Sequence, residues 1–224
     1  MPTRSHGRVK LLTPRISNVW LFTDTEGHRF LVATGHRVER TILAQSLTRA
    51  GVVRGSLTAE LLTHRHSDHA GNAAWLRDEH RAPVLCHAAD AKKLTGNERP
   101  ARLARRGANA FYDALCHVED AFPARTSVDD VFDEGSWRWG FSVIPAAGHT
   151  EGSSMLLHEP TGTLFTGDAI LAGAPVQRLA CHRAVLAFLA EERPVRTLCA
   201  GHGPKVRRDL PRLFHGLLRR ERAA

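Results

Sequence analysis

Six consecutive residues, His64-Arg65-His66-Ser67-Asp68-His69, bring three imidazoles and a carboxylate into one short stretch of chain. These side chains can fan around a common point where a strand hands over to a helix, so the stretch constrains the fold around it. Imidazole nitrogen and carboxylate oxygen bind zinc at about 2.0–2.2 Å. We therefore predict a metal site at a strand-to-helix turn. A solvated histidine-rich loop is the alternative in a chain with 14 histidines.

Three more ligand-type residues lie downstream, each next to a glycine at the end of a predicted strand: His149, Asp168 and His202. Glycine lets the backbone turn sharply and approach a ligand closely. With the first cluster they make a set of five histidines and two aspartates. Such a set is large enough for two metals that share one bridging carboxylate.

The order of these motifs, an HxHxDH cluster followed by a lone His, a lone Asp and a lone His, resembles the metallo-β-lactamase superfamily. The resemblance covers nearly the whole chain, up to Gly203. It implies an α/β (α+β) fold, the four-layer αββα sandwich. It also implies two groups of ligands and one shared carboxylate: His64, His66 and His149 for the first metal, Asp68, His69 and His202 for the second, and Asp168 as the bridge.

The resemblance implies a dinuclear metal-dependent hydrolase that attacks a small ester, thioester or lactone with a metal-bridging hydroxide. Metal binding lowers the pKa of a water to about 7. Asp68 would orient this nucleophile, and the partner would be a small-molecule acyl substrate. We expect two zinc ions, with iron or manganese as alternatives. The superfamily's antibiotic-hydrolysing members usually carry Cys or Ser where Asp168 stands, so the glyoxalase-II-like and lactonase-like branch is favoured over β-lactam hydrolysis.

Other functions remain open at the level of sequence. A mononuclear iron enzyme resembling persulfide dioxygenases would keep the same ligands, although the Gly-Arg-rich loop that those enzymes place after the bridging Asp is missing. A phosphodiesterase or nuclease, a β-lactamase and a non-catalytic metal-binding domain are further alternatives.

Two regions are candidates for substrate contact. The segment from Leu94 to Thr126 contains the Arg-rich stretch 99–106 and the only tyrosine, Tyr112, and is either a helical lid or a surface excursion. The loop after Asp168 is apolar, and Leu171 and its neighbour Ile170 suit an acyl chain. The alternative for this loop is packing beneath the next helix.

One departure from the family pattern concerns the end of the strand Phe30-Leu31-Val32. Many members continue with Asp-Thr-Gly, whereas this chain has Ala33-Thr34-Gly35. Residues that orient metal ligands can change metal affinity or activity about 10–100-fold. We predict weaker metal binding unless Asp24 on the neighbouring strand replaces the missing carboxylate.

A chain of 224 residues with 42% hydrophobic content is predicted to form one domain over 1–224, with the insertion at about 94–126. Strand and helix patterns alternate in two halves, and the second half is predicted to start near Val131. A helix near the C-terminus carries an apolar stripe typical of a core-facing surface: Leu210, Leu213, Phe214, Leu217 and Leu218.

Charge and composition argue against several partners. The net charge is +8, but the basic residues are mostly scattered arginines without interleaved aromatics, so we predict no nucleic-acid partner. The sequence shows no signal peptide and no long apolar run, which predicts a cytoplasmic protein without a membrane partner. The four cysteines form no CxxC pair and are predicted to be reduced thiols. The pattern does not indicate an oligomeric state.

Overall fold

The computed structural model describes residues 7–97, 123–170, 185, 187–188, 191, 193–204 and 210–222. Most of the predicted lid, with Tyr112, lies outside these residues, and so does the loop that begins at Leu171.

The first sheet has six strands in sequential order. Their bounds are β1 Arg8–Pro14, β2 Asn18–Thr23, β3 Arg29–Val32, β4 Ala59–Leu62, β5 Val84–His87 and β6 Asp130–Phe132. The first three strands pair antiparallel, and β3 to β6 pair in parallel. Strand β1 was not predicted from the sequence.

The second sheet has five strands in the order β11-β10-β9-β8-β7. Their bounds are β7 Gly135–Ser136, β8 Phe141–Pro145, β9 Ser154–His158, β10 Thr163–Gly167 and β11 Thr197–Ala200. Strands β10 and β11 are parallel, and the other pairs are antiparallel. The predicted start of the second half near Val131 was wrong, because β6 pairs with β5 and the second sheet begins only at Gly135.

Five helices are described, together with two short 3-10 turns at Arg37–Glu39 and Arg138–Gly140. The helices are α1 Arg40–Arg49, α2 Ser67–Ala70, α3 Ala73–His80, α4 Ala88–Leu94 and α5 Leu210–Arg222. The helix expected at the strand-to-helix turn, from about Ala70 to His80, is instead two helices: α2 begins inside the HxHxDH motif and α3 follows it. Between them, the Asn72 side-chain amide donates to the carbonyls of Thr34, Gly35 and His36.

Apolar side chains form three layers of contact around the two sheets. The aromatic layer between the sheets includes Phe22, Phe30, Phe141 and Phe165, with edge-to-face ring contacts. Each buried Phe contributes roughly 1.5–3 kcal/mol of transfer free energy. Residues of α1 and α3 cover the outer face of the first sheet. The outer face of the second sheet is covered by Val185, Phe188 and helix α5. The predicted αββα order is confirmed.

Helix α5 presents the predicted apolar stripe to the core. Leu210 and Phe214 are buried and Leu213 is partly buried against the outer face of the second sheet. The side chains of Leu217 and Leu218 lie outside the described part of the chain. Among the helices described here, none is both long and apolar enough to cross a membrane.

Candidate metal centre

The carboxyl ends of four strands bring the predicted ligands to one edge of the sandwich. The HxHxDH motif follows β4 in the first sheet, and β8, β10 and β11 of the second sheet lead to His149, Asp168 and His202. Since β8, β10 and β11 run in the same direction, these three residues emerge on the same side. Open α/β sheets commonly bind ligands at this edge.

The first group of ligand atoms comes from three buried histidines. His66 Nδ1 lies 2.8 Å from His149 Nε2, which lies 3.2 Å from His64 Nε2. The Thr63 hydroxyl lies 3.2 Å from His64 Nδ1, on the side of the ring opposite Nε2. The three ring nitrogens therefore converge on one small volume.

Burial keeps two of these rings neutral. It lowers the pKa of His64 well below its usual value, and the neighbouring histidines add to the effect. Burial and the nearby His66 lower the pKa of His149 to about 3. Neutral imidazoles offer their lone pairs, so this group fits a divalent cation better than it fits a proton.

The second group combines two histidines with two carboxylates. His69 Nε2 lies 3.2 Å from both Asp68 Oδ2 and Asp168 Oδ1. His202 Nε2 lies 3.3 Å from Asp68 Oδ2 and 3.4 Å from Asp168 Oδ1. The two rings meet with their Nε2 atoms 3.4 Å apart.

The electrostatics of the second group differ from those of the first. Burial alone would lower the pKa of His69 and His202, but the two carboxylates outweigh it and raise these values to about 9 and about 11. Burial would likewise raise the pKa of Asp68 and Asp168, but His69 and His202 hold both well below their usual value. A metal entering this group must displace protons from the imidazoles.

The residues present fit divalent metal ions. Candidate ligand atoms form three overlapping groups within 4.8 Å: His64, His66 and His149; His64, Asp68 and His69; His69, Asp168 and His202. All seven predicted ligands are therefore brought together. The substrate residues Tyr112 and Leu171 lie outside the described residues.

Gly201 allows the strands to close around this centre. A Cβ at this position would lie 2.7 Å from His69 Cε1 and 2.9 Å from the Gly167 backbone carbon, and it would also clash with Asp168 Oδ1. No side chain fits here, which explains the glycine before His202.

Two residues that bind the backbone beside the second group, Ser17 and Asn18, were not predicted from the sequence. The Ser17 hydroxyl donates to the Asp68 carbonyl. The Asn18 amide donates to the carbonyls of Ala200 and Gly203, at 3.0 and 2.6 Å. The only sequence signal was a pair of polar residues directly before the apolar run of β2, Val19 to Phe22.

The Asp24 prediction was wrong. Asp24 lies at the β2–β3 turn, at the edge opposite the ligands, and accepts hydrogen bonds from the backbone of Glu26 and His28 and from the His28 ring, each at 2.8 Å. Near the centre, Ala33 has a positive φ of 59°. The following Thr34 donates its hydroxyl to the His69 carbonyl at 2.9 Å.

Ile170, predicted as part of an acyl pocket, is buried in the cluster beneath the outer helices of the second sheet. The alternative interpretation therefore holds for this residue. The remaining residues predicted to contact an acyl chain begin at Leu171 and lie outside the described part of the chain.

A family model of the metallo-beta-lactamase superfamily matches residues 12–217, most of the chain and every candidate ligand. The chain belongs to the metallo-β-lactamase superfamily. This family and the names of the curated relatives support the predicted metal-dependent hydrolase.

Curated relatives agree with this assignment. The probable metallo-hydrolase YybB of Bacillus subtilis is 23% identical over 84% of this chain and 81% of its own length. The probable metallo-hydrolase YflN of the same organism is 29% identical over 71% of this chain. A ribonuclease Z of Mycobacterium sp. (strain KMS) is 28% identical over 79% of this chain. The chain spans 63% of YflN and 66% of the ribonuclease.

Solved structures share the fold. The metallo-beta-lactamase family protein TTHA1429 of Thermus thermophilus aligns with a TM-score of 0.68 and 22% identity, covering 96% of this chain and 79% of that one. The protein TTHA1623, solved in a di-iron-bound form, aligns with a TM-score of 0.65 and 24% identity. The alignment covers 95% of this chain and 97% of TTHA1623.

Proposed function

We propose that the chain is a dinuclear hydrolase of a small ester, thioester or lactone. The observation that carries the proposal is the placement of Asp168. Its Oδ1 lies 3.2 Å from His69 Nε2 in the second group, and its Oδ2 lies 3.4 Å from His149 Nε2 in the first. A carboxylate whose two oxygens face two separate groups is the arrangement expected of a bridge between two metals.

The residues divide the work between them. His64, His66 and His149 would hold one metal, while Asp68, His69 and His202 would hold the other. A metal pair supplies a nucleophilic hydroxide near neutral pH and stabilises the oxyanion that it generates. The Asp68 side chain is 15% exposed, more open than that of Asp168 at 5%. An ionised Asp68 carboxylate can accept a hydrogen bond from an incoming water and orient it toward the substrate.

The first test is metal content per chain, by mass spectrometry, on protein purified without added metal. We expect about two zinc ions per chain. One iron per chain, with oxygen uptake on a persulfide, would instead favour the persulfide dioxygenase. Iron is measured as well as zinc because the similar protein TTHA1623 was solved in a di-iron-bound form.

The second test is turnover on an aryl ester, a thioester and a lactone, with Asp68→Ala and His69→Ala as variants. We expect each variant to lose at least about 100-fold in kcat/KM, because each removes a ligand of the second metal. Unchanged far-UV circular dichroism would show that the fold is intact. Wild-type kcat/KM in either variant would contradict the proposal.

A phosphodiesterase is the second candidate, favoured by the 28% identity to a ribonuclease Z over 200 residues. The same residues would hold a metal pair, which would supply stabilisation of the attacking and leaving oxygens in an in-line displacement at phosphorus. Hydrolysis of bis(p-nitrophenyl) phosphate, with no turnover of any acyl substrate, would replace the leading proposal with this one.

A further inference from the structure

Asp90, in the first turns of α4, is a fully buried carboxylate outside the set of candidate ligands. Its Oδ2 accepts hydrogen bonds from the Arg65 backbone N–H at 3.0 Å and from the Thr150 hydroxyl at 2.7 Å. Its Oδ1 accepts the Gly152 backbone N–H at 3.0 Å and lies 3.7 Å from Arg65 Nε. Both oxygens are therefore engaged, and their partners come from two different loops.

The partners of Asp90 stand directly beside three candidate ligands. The Arg65 N–H belongs to the peptide that joins His64 to Arg65, so its hydrogen bond fixes the backbone between His64 and His66. Thr150 follows His149 and is held again by Ser153, whose hydroxyl accepts the Thr150 N–H at 2.9 Å. One carboxylate thus sets the spacing between the loop after β4 and the loop after β8.

The contact leaves no room for adjustment. A Cβ at Gly152 would lie 2.6 Å from Asp90 Cγ and 2.7 Å from the Asp90 backbone nitrogen. The loop after β8 therefore rests directly on the start of α4. A shift of the Asp90 side chain moves the His149 loop relative to the His64 loop.

The second group of ligands has its own, separate supports. Ser17 binds the Asp68 carbonyl, Thr34 binds the His69 carbonyl, and the Asn18 N–H donates to the Gly201 carbonyl at 2.7 Å. Among the described residues, Asp90 makes none of these contacts. The two halves of the centre are thus held by different parts of the fold.

We propose that Asp90 is a positioning residue that presets His64, His66 and His149 for one metal and leaves the other metal to its own supports. The inference rests on the proposed dinuclear centre. A buried ion pair with Arg65 that merely stabilises the fold is the competing explanation, and it predicts no preference between the two metals.

The test uses Asp90→Asn and Thr150→Val. An Asn keeps the shape but replaces one accepting oxygen with a donor, which faces either the Arg65 N–H or the Gly152 N–H. Val at position 150 removes the hydroxyl bond to Asp90 and also the contact between the Thr150 and Ser153 hydroxyls at 2.9 Å, while Asp90 keeps its charge. Asp78→Asn, on the exposed side of α3, is the matched control for the charge change.

The measurement is the pair of zinc dissociation constants, by competition with a chromophoric chelator. His149→Ala and His202→Ala assign each constant to its group. We expect Asp90→Asn to weaken the metal of His64, His66 and His149 about 10–100-fold, Thr150→Val to weaken it less, and neither to change the other constant. Cobalt(II) absorption, which reports coordination geometry, should change only in the band assigned to the first group.

Unchanged constants in both variants would overturn the inference, and so would equal weakening of both constants. If Asp90→Asn does not fold, Thr150→Val decides by the same criterion. A failure of the proposed function looks different, because it is read from the wild type. A single metal bound at the three histidines would end the dinuclear proposal, yet its weakening in Asp90→Asn would still support positioning by Asp90. A wild type that binds no zinc overturns both.

Discussion

At the scale of single residues, Glu60 is an acidic side chain whose surroundings disfavour its charged form. It lies in the central strand β4, is fully buried, and neither of its carboxylate oxygens has a hydrogen-bond partner among the described residues. Burial raises its pKa well above the usual range, and Asp129 nearby adds to the effect while Arg77 opposes it. The folded protein therefore holds Glu60 protonated at pH values where the unfolded chain ionises it.

We expect Glu60→Gln to flatten the pH dependence of stability. Above the ordinary glutamate pKa of 4.5, the unfolded chain has released a proton that the folded chain retains, so wild-type stability falls as pH rises toward the folded-state pKa. The difference between the two proteins should grow by about 1.4 kcal/mol per pH unit in this window. Urea unfolding from pH 5 to 8 measures it, with exposed Glu79→Gln as control. Parallel profiles would show that Glu60 ionises normally.

A methyl group at position 201 should disrupt the metal centre without disrupting the core. In Gly201→Ala the new Cβ meets His69, Asp168 and the Gly167 backbone, so the ligands must move apart. We expect zinc affinity to fall at least about 10-fold, in line with other changes that misplace ligands. The control is Gly216→Ala on α5, where a Cβ meets nothing within 4 Å. Equal zinc binding by the two variants would contradict the steric argument.

At the scale of secondary-structure elements, the β1–β2 turn secures the loop after β11. In Asn18→Ala the Gly203 carbonyl loses its side-chain donor, while the Ala200 carbonyl keeps the Trp20 ring N–H at 3.0 Å and the backbone bond from Asn18 to Gly201 remains. The loss of two hydrogen bonds should lower the unfolding free energy by about 1–3 kcal/mol. Chemical denaturation measures this loss, and exposed Asn97→Ala should show almost none.

The same substitution should weaken zinc at the group that contains His202 and spare the three-histidine group. This is the reverse of the pattern expected for Asp90→Asn. Equal loss at both groups would mean that the turn supports the fold as a whole and not His202 in particular.

At the scale of the whole molecule, metals should stabilise the sandwich because their ligands come from both sheets. Free zinc at 100 times its dissociation constant contributes about 2.7 kcal/mol for one site. For a chain of this size, removal by a chelator should lower Tm by roughly 5–10 °C per site. Thermal melts before and after chelation measure the change, and added zinc should restore it. An unaltered Tm would indicate that the ions are not held by the folded state.

The sequence predicted the ligands because their residue types, spacing and neighbouring glycines are local properties. It did not predict Asp90 or Asn18, because a carboxylate or an amide gains its role only when distant loops pack against it. Strand β6 was placed in the wrong half because three residues carry too little pattern to choose a partner strand. Asp24 was misjudged because a neighbouring position in the strand order does not say which edge of the sheet a residue occupies, and the register pairs Trp20 with Val32 and leaves Asp24 at the far edge.

The ligands His69 and His202 lie 133 positions apart, yet their ring nitrogens meet at 3.4 Å. They can meet only after the two sheets have packed together, so closing this long loop precedes any high-affinity metal capture. Bound metal should therefore stabilise the native state without stabilising the transition state for folding. Stopped-flow experiments would then find zinc slowing the unfolding rate while leaving the refolding rate almost unchanged. The centre would work as a latch that engages only when folding is nearly complete.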